Sequence, residues 1–338
     1  MKKVLVTGVS GYIGQHCAAE LLKKGYAVRG SVRSLSRTEE VTKGISTVVD
    51  PKVNLEYCEL NLTNDAGWEK AMEGCEYVLH VASPYFTKEP KDENELIKPA
   101  VEGTLRALKA AKLAGVKRVV LTSSMVAMLG DASGSVNINQ DSWTNVNSNN
   151  ATAYLKSKTL AEQSAWDFIK NQEGENKLEL TVVNPGPVYG PTLSGNLSGE
   201  SMSMFQNLIT GKMPLLPSFS INMSDVRDIA TIHVKALEND KAAGKRFIVT
   251  TEKMHTVKEL AQILKSNGYD KVSTKVAPSF FLKFVAKFSA ELKGMRPFIG
   301  NAFNADVSET MKTFDWKPIP LDKTVLDTAK SVEAAMKD

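Results

Sequence analysis

The chain has 338 residues, of which 42% are hydrophobic and 24% are charged, and its net charge at pH 7 is +4. This composition is ordinary for a globular protein, and the length predicts one large α/β unit with a smaller appended domain. Because the charge is mild and no Lys/Arg run interleaves with aromatic residues, we expect no nucleic-acid partner. No apolar run approaches the roughly 20 residues of a membrane span, so no membrane partner is expected either.

Cysteine and histidine are sparse and scattered. The three cysteines, Cys17, Cys58 and Cys75, form no C-x-x-C pair, and an odd, sparse count fits a reducing compartment better than a disulfide framework. The four histidines lie far apart, so no metal site is expected. Only four residues separate the initial lysines from a glycine, which is too short for the apolar core of a signal peptide. The sequence therefore predicts a cytoplasmic protein.

The first half of the chain alternates short apolar runs with helical patterns. The runs that predict strands are residues 3–8, 26–33, 55–62, 77–83, 117–124, 178–186 and, later, 245–250. The patterns that predict helices are about 14–25, 93–114, 151–171 and 225–238. Strands that alternate with helices of this length predict a parallel, doubly wound sheet. Continuous apolar strands indicate that both faces of this sheet are covered.

The pattern changes beyond Pro185, where proline and glycine become frequent. We expect a dinucleotide-binding domain formed by residues 1–183 plus about 224–250. A smaller, mostly helical substrate-binding domain would then comprise about 184–223 plus 251–338. Residues 134–150 are rich in asparagine and serine, which predicts a surface loop.

A glycine motif opens the first helix. Gly8, Gly11 and Gly14 follow the first predicted strand directly, in the spacing G-x-x-G-x-x-G. Gly8 would permit a tight turn, Gly11 a close approach of a pyrophosphate, and Gly14 close helix–strand packing. The free N–H groups at the helix start would hold the phosphates. A glycine turn without a ligand is the simpler alternative, but the strand before and the helix after favour a dinucleotide.

The end of the second predicted strand indicates which dinucleotide binds. Proteins that prefer NAD usually carry an acid there, whereas this chain has no acid before Glu39. Arg33 lies 19 residues after Gly14 and can pair with a 2′-phosphate, and Arg37 is a second candidate. Both could instead be solvated surface arginines. The pattern favours NADP(H) as the cofactor.

A serine, a tyrosine and a lysine form the candidate catalytic group. Ser124 ends a predicted strand 30 residues before Tyr154, and Lys158 follows Tyr154 by one helical turn. Chance alone would supply about one tyrosine with a basic residue four positions later in a chain with eight tyrosines and 42 basic residues. The position of the pair after a strand end and a glycine motif is therefore what indicates a catalytic role. A nearby ammonium favours the phenolate and would lower the tyrosine pKa. Tyr154 would then protonate a carbonyl oxygen as hydride arrives, and Ser124 would steady the alkoxide.

The motifs TGVSGYIG, TSS and YLKSK, in this order, resemble the extended short-chain dehydrogenase/reductase family. VLHVASP, VVNPGPVYGP and the late FNADVSETMKTFDWKP are similar to its subgroup of dihydroflavonol 4-reductases, cinnamoyl-CoA reductases and aldehyde and methylglyoxal reductases. The resemblance implies a Rossmann-type fold and an NADPH-dependent reductase of a small or medium aldehyde or ketone. It assigns the catalytic roles to Ser124, Tyr154 and Lys158, and the 2′-phosphate contact to Arg33. The further cofactor contacts it implies are Thr7, Tyr12, Ile13, Leu62, Ala82, Pro185 and Val188, with Asn61 replacing an adenine-binding Asp.

Substrate contacts are predicted around the nicotinamide end of the cofactor. The candidates are Ser83, Tyr85, Phe86, Met125, Leu129 and Tyr189. Leu129 occupies the position at which plant flavonoid reductases place a substrate-binding Asn. A leucine cannot bind hydroxyl groups, so a smaller or more apolar carbonyl compound is expected.

Two other functions stay open at this point. A nucleotide-sugar epimerase or dehydratase is opposed by Arg33 and by Met125 and Val126, which cannot transfer protons after Ser124. A non-catalytic dinucleotide sensor is opposed by the retention of the Ser–Tyr–Lys group. The resemblance implies a monomer or a homodimer, and helices 93–114 and 151–171 would form the dimer face.

Overall fold

The computed structural model describes residues 1–84, 90–278 and 296–337. Its strands are β1 (Lys3–Thr7), β2 (Ala27–Val32), β3 (Leu55–Glu59), β4 (Tyr77–His80), β5 (Arg118–Thr122), β6 (Ser135–Ile138), β7 (Glu179–Pro185), β8 (Val188–Tyr189), β9 (Ser220–Ile221), β10 (Ser224–Asp225), β11 (Arg246–Val249), β12 (His255–Thr256) and β13 (Ala302–Ala305). Its α-helices are α1 (Tyr12–Lys23), α2 (Thr38–Ser46), α3 (Trp68–Met72), α4 (Asn94–Leu113), α5 (Ala153–Lys170), α6 (Glu200–Ile209), α7 (Val226–Glu238), α8 (Val257–Ser266), α9 (Ser308–Phe314) and α10 (Leu321–Ala335).

A seven-stranded sheet forms the centre of the molecule, in the order β11-β7-β5-β4-β1-β2-β3. Every neighbouring pair in it is parallel. The strand order reverses direction between β1 and β4, so a crevice opens there at the carboxyl edge of the sheet. The predicted doubly wound α/β fold is confirmed.

Both faces of the sheet are covered, because successive side chains of a strand point to opposite sides. Val4 and Val6 of β1 belong to a core shared with α1, α2 and α7, whereas Leu5 belongs to a second core shared with α3 and α4. This arrangement explains why the strands are continuous apolar runs. Because β5, β4 and β1 are parallel neighbours, their carboxyl ends lie side by side at one edge of the sheet.

Helices α6, α8 and α10 pack around a third core of their own. Phe205, Leu260 and Val325, one from each helix, are fully buried in it. Short ladders connect this part to its surroundings, between β8 and β10 and between β9 and β12. The predicted division into two discontinuous domains stays a prediction.

The expectation of a surface loop at residues 134–150 is wrong for its first part. Residues Ser135–Ile138 form β6, which pairs in parallel with β13 far along the chain. Thr144 is buried, where its hydroxyl donates to the Val126 carbonyl at 2.6 Å and accepts from the Leu129 N–H at 2.7 Å. The pairing with β13 and the buried Thr144 therefore anchor this segment to the rest of the fold. In the described ranges, no helix has the length and apolarity to cross a membrane.

Candidate active site

The glycine loop joins β1 to α1 in a conformation that needs its glycines. Gly8 has φ +67°, and a Cβ there would meet the Ala82 backbone at 3.0 Å. A Cβ at Gly14 would collide with the Gly8 carbonyl oxygen, so only glycine lets the helix approach the loop. Gly11 is the N-cap of α1 and has no side-chain cap. The first N–H groups of the helix therefore face the crevice without a side-chain partner.

Thr7 fixes the end of the neighbouring strand. Its hydroxyl oxygen accepts from the N–H groups of Val81 and Ala82 at 3.1 and 3.0 Å, and it lies 2.9 Å from His80 Nδ1. Burial, together with the charge of Lys158, lowers the pKa of His80 to about 4. The imidazole is neutral at pH 7, and the Thr7 oxygen already accepts from two N–H groups, which leaves its own O–H to donate to Nδ1. Thr7, predicted as a cofactor contact, thus shapes the loop that carries Ala82 and Ser83.

Helix α1 is tied to the segment that follows β8. The Tyr12 hydroxyl donates to the Gly190 carbonyl at 2.7 Å, and His16 Nε2 lies 2.9 Å from the Pro191 carbonyl. The Gly190 N–H in turn donates to Thr328 of α10 at 2.7 Å. The start of α1 is therefore braced, through Gly190, by α10 of the third core. Tyr12 was predicted as a cofactor contact, and the structure gives it this structural bond as well.

The end of β2 presents its two arginines differently. Arg33 is exposed and, among the described residues, pairs with no carboxylate. Arg37 instead forms a forked pair with Glu40, with its Nη2 2.9 Å from both carboxylate oxygens. Asn61, beyond β3, uses its Oδ1 to accept from the Thr63 N–H at 3.0 Å. Arg33 is thus the freer of the two predicted 2′-phosphate contacts.

The structure brings Ser124, Tyr154 and Lys158 together at the carboxyl edge of the sheet. Ser124 follows β5 and caps the 3-10 helix Met125–Met128, and its side chain is hydrogen-bonded to that of Tyr154. Thr152 caps α5 by accepting from the Leu155 N–H at 3.3 Å, which starts the helix just before Tyr154. Lys158 lies one turn further along the same face of α5.

The expected lowering of the tyrosine pKa is wrong. Burial raises the pKa of Tyr154 to about 12, with a further rise from the Glu200 carboxylate, while the hydrogen bond with Ser124 acts in the opposite direction. Burial lowers the pKa of Lys158 to about 8, and the Glu162 carboxylate opposes this. At pH 7 the site therefore holds a protonated phenol beside a charged lysine.

Several residues predicted as substrate contacts have buried side chains in this structure. Leu129 is completely buried in the main core and Met125 is 2% exposed, so neither side chain offers surface to a substrate. Tyr189 is buried against Phe205, with ring centroids 5.4 Å apart. Ser83 is partly buried, and Tyr85 and Phe86 lie outside the described residues. The remaining predicted contacts that are partly buried are Ile13, Leu62, Ala82 and Val188, and Pro185 is buried at the end of β7.

Sequence reasoning missed a buried charged pair behind the catalytic group. Glu162 of α5 and Arg246 of β11 form an ion pair, with Oε1 and Nε 2.5 Å apart. Glu162 also accepts from Ser123 at 2.6 Å and from Asn184 at 2.8 Å. One signal was available, because Glu162 follows Lys158 by four residues on a predicted helix. Nothing local indicated Arg246 as its partner.

The fold and the Ser–Tyr–Lys arrangement at the crevice define a dinucleotide-binding α/β protein of the extended short-chain dehydrogenase/reductase class. The model of the NAD dependent epimerase/dehydratase family matches residues 4–249. The chain belongs to this family, which confirms the resemblance inferred from the motifs.

Similar proteins include reductases from plants and yeasts. The cinnamoyl-CoA reductase CAD2 of Medicago truncatula is 33% identical over 78% of this chain and 79% of its own. The NADPH-dependent methylglyoxal reductase GRE2 of Saccharomyces cerevisiae is 32% identical over 78% of this chain and 82% of its own. The crystal structure of Gre2 from Candida albicans in complex with NADPH has a TM-score of 0.80 at 27% identity and covers 99% of both chains. These relatives agree with the predicted enzyme class and cofactor.

Proposed function

We propose that the protein is an NADPH-dependent reductase that converts the carbonyl group of a small or medium aldehyde or ketone into an alcohol, with Tyr154 as the proton donor. The observation that carries the proposal is the contact of Ser124 with Tyr154, one turn before Lys158, at the crevice between β1 and β4. Residues 184–223 plus 251–338 are proposed to form the substrate-binding part.

The residues around the crevice fit NADPH. Glycine at positions 8 and 14 lets the loop pack closely against Ala82 and against the start of α1, whose first N–H groups have no side-chain cap and can bind phosphates. Arg33 is exposed and forms no ion pair within the described part of the chain, so its guanidinium could hold a 2′-phosphate. Lys158 is proposed to hold the nicotinamide ribose. When bound, NADPH supplies the hydride.

Each catalytic side chain has a separate role in the proposed reaction. Ser124 donates a hydrogen bond to the substrate oxygen and orients the carbonyl group. As the hydride reaches the carbonyl carbon, the C=O π electrons move to the oxygen, which takes the proton of Tyr154. The charge of Lys158 stabilises the resulting phenolate, which solvent then reprotonates. A protonated phenol at neutral pH suits a reductase, because the acid is ready before hydride transfer.

The decay of NADPH absorbance with a panel of aldehydes and ketones tests the proposal. We expect turnover with at least one carbonyl compound, NADPH preferred over NADH, and one alcohol formed per NADPH oxidised. NADPH binding without turnover on any carbonyl compound would instead indicate a dinucleotide sensor. Conversion of a nucleotide sugar with retained NAD would indicate an epimerase or dehydratase.

The pH dependence of the reaction should follow Lys158. With a pKa of about 8, Lys158 is charged below pH 8 and neutral above it, whereas Tyr154, with a pKa of about 12, stays protonated across this range. We therefore expect kcat/KM for carbonyl reduction to be constant near neutral pH and to fall above about pH 8. Steady-state rates at constant ionic strength on both sides of pH 8 measure this.

Lys156→Gln provides the control for the pH profile. Lys156 lies two residues earlier on α5 and pairs with Glu93 at 2.7 Å, away from Tyr154. Its substitution should leave the fall of kcat/KM above about pH 8, the alkaline limb of the profile, unchanged. A wild-type rate that stays constant well above pH 8 would contradict the role given to Lys158.

A further inference from the structure

The buried pair behind the catalytic group connects every element that carries a catalytic side chain. Glu162 lies on α5, one turn beyond Lys158, and it is 1% exposed. Its Oε2 accepts from Ser123 at 2.6 Å, and Ser123 directly precedes Ser124. The same oxygen accepts from Asn184 of β7 at 2.8 Å, and Asn184 also reaches the Ser124 carbonyl at 3.2 Å. The carboxylate thus joins α5 to the ends of β5 and β7.

Arg246 of β11 completes the arrangement on the far side of Glu162. Its Nε lies 2.5 Å from Glu162 Oε1, and its Nη1 donates to the Gln140 and Ser142 carbonyls at 2.9 and 2.6 Å. The guanidinium stacks on Trp143, 3.8 Å from the ring centroid. These contacts keep Arg246 in place, so its guanidinium holds the Glu162 side chain in a fixed orientation.

We propose that Glu162, held by Arg246, is a positioning residue of the active site, which locks the Ser123–Ser124 strand end against α5 and supplies the negative charge that keeps Lys158 a cation. This role rests on the proposed reductase function. It differs from a purely structural ion pair because it makes the charge state of Lys158 depend on Glu162.

Among the described residues, the titratable and charged groups around Lys158 come from several elements, and only two of them carry a charge near neutral pH. On α5 itself, Tyr154 is neutral and Glu162 is negative. From β4, His80 is neutral, because its pKa is about 4. From β11, Arg246 is positive but lies beyond the carboxylate it is paired with. Glu162 is therefore the carboxylate that offsets the burial of Lys158, in agreement with the direction in which it moves the Lys158 pKa.

The substitution Glu162→Gln tests the proposal. Glutamine keeps the size of the side chain and removes its charge. Without the carboxylate, the positive charge of Arg246 would further disfavour the charged form of Lys158. We expect the alkaline limb of kcat/KM to move about 1 pH unit lower. The same shift should appear in the pH dependence of the NADPH dissociation constant, read from NADPH fluorescence, because charged Lys158 holds the ribose.

Glu179→Gln is the matched control. Glu179 begins β7 and pairs at 2.7 Å with Arg118, a fully buried arginine at the opposite end of β5 from Ser124. This variant also breaks an ion pair with a buried arginine, so it should lower thermal stability without moving the pH limb. The double variant Glu162→Gln/Arg246→Met covers the case in which the single variant fails to fold, since replacing both members of a buried pair is often tolerated. The double variant should still show the shift to lower pH, because Glu162 is the nearer charge.

The outcomes separate the two proposals. A folded Glu162→Gln or double variant whose pH limbs coincide with those of the wild type would overturn the role of Glu162 and leave an ion pair that acts on stability alone. A wild-type protein that reduces no carbonyl compound would instead contradict the proposed reductase function. In that case the pH dependence of NADPH binding would still report whether Glu162 controls Lys158.

Discussion

Replacing Tyr154 with phenylalanine is expected to lower kcat for carbonyl reduction by about 10²- to 10⁴-fold, the range that a positioned general acid contributes. In the proposed reaction the phenol is the protonated group that meets the substrate oxygen, and its side chain is hydrogen-bonded to Ser124. The ring remains in Tyr154→Phe, so the pocket keeps its shape and NADPH affinity should stay nearly unchanged. Initial rates at saturating NADPH, with fluorescence titration of NADPH, measure the two quantities separately.

Tyr57→Phe is the control for the loss of a phenol hydroxyl. Tyr57 lies on β3 at the far edge of the sheet, where its hydroxyl is 2.7 Å from Thr42. Its substitution should leave kcat within about twofold, because it removes a hydrogen bond that takes no part in the reaction. Activity retained in Tyr154→Phe would contradict the assignment of the proton donor.

Replacing Arg33 with alanine is expected to raise KM for NADPH about 10- to 100-fold, the equivalent of losing charge-assisted hydrogen bonds. KM for NADH should hardly change, since NADH has no 2′-phosphate. Arg33 is exposed just beyond β2 and forms no ion pair with the described residues, so its removal should not affect folding. The ratio of kcat/KM for the two cofactors, measured in wild type and variant, gives the result directly.

Arg37→Ala provides the comparison for this experiment. Glu40 already holds the Arg37 guanidinium through two hydrogen bonds at 2.9 Å, so Arg37 has less to offer a phosphate. We expect a smaller change in KM for NADPH than in Arg33→Ala. Equal NADPH and NADH kinetics in the wild type, or an unchanged cofactor ratio in Arg33→Ala, would remove Arg33 as the source of NADP preference.

The parts of the fold that depend on neighbouring residues were readable from the sequence. The spacing of Gly8, Gly11 and Gly14 predicts the tight turn and the helix, and the structure has both. The four-residue spacing of Tyr154 and Lys158 predicts two side chains on one face of a helix. The structure has this helix, α5, which begins at Ala153 and contains both residues. Helix periodicity and apolar strands are local signals, so these elements follow from short windows of sequence.

The parts that depend on distant residues were not readable. Strand β6 lies in a polar segment and forms only because β13 pairs with it, 167 residues further along the chain. Glu162 and Arg246 are 84 residues apart, and the sequence around either residue does not indicate the other as its partner. Such contacts are set by which strands become neighbours in the sheet, and a single sequence does not state that order.

The acid–base properties of the site also depend on burial. The charge of Lys158 suggested a lowered pKa for Tyr154, yet the apolar surroundings dominate and raise it to about 12. The same burial lowers the Lys158 pKa to about 8. Leu129 was expected beside the substrate by its position after Ser124, but the chain turns it into the main core. In each case the local sequence placed the residue, and the packing decided what it can do.

Hydride transfer from labelled cofactor is the most direct test of the central claim, that this crevice reduces a carbonyl group with NADPH. Incubation with NADPH that carries deuterium at both C4 positions, followed by mass spectrometry and NMR of the alcohol, locates the label. We predict one deuterium on the former carbonyl carbon of each alcohol formed, and none on its oxygen after exchange with solvent. Tyr154→Phe should form the same labelled alcohol only at its lowered rate. Label that reaches solvent, or a product without deuterium on that carbon, would contradict the account.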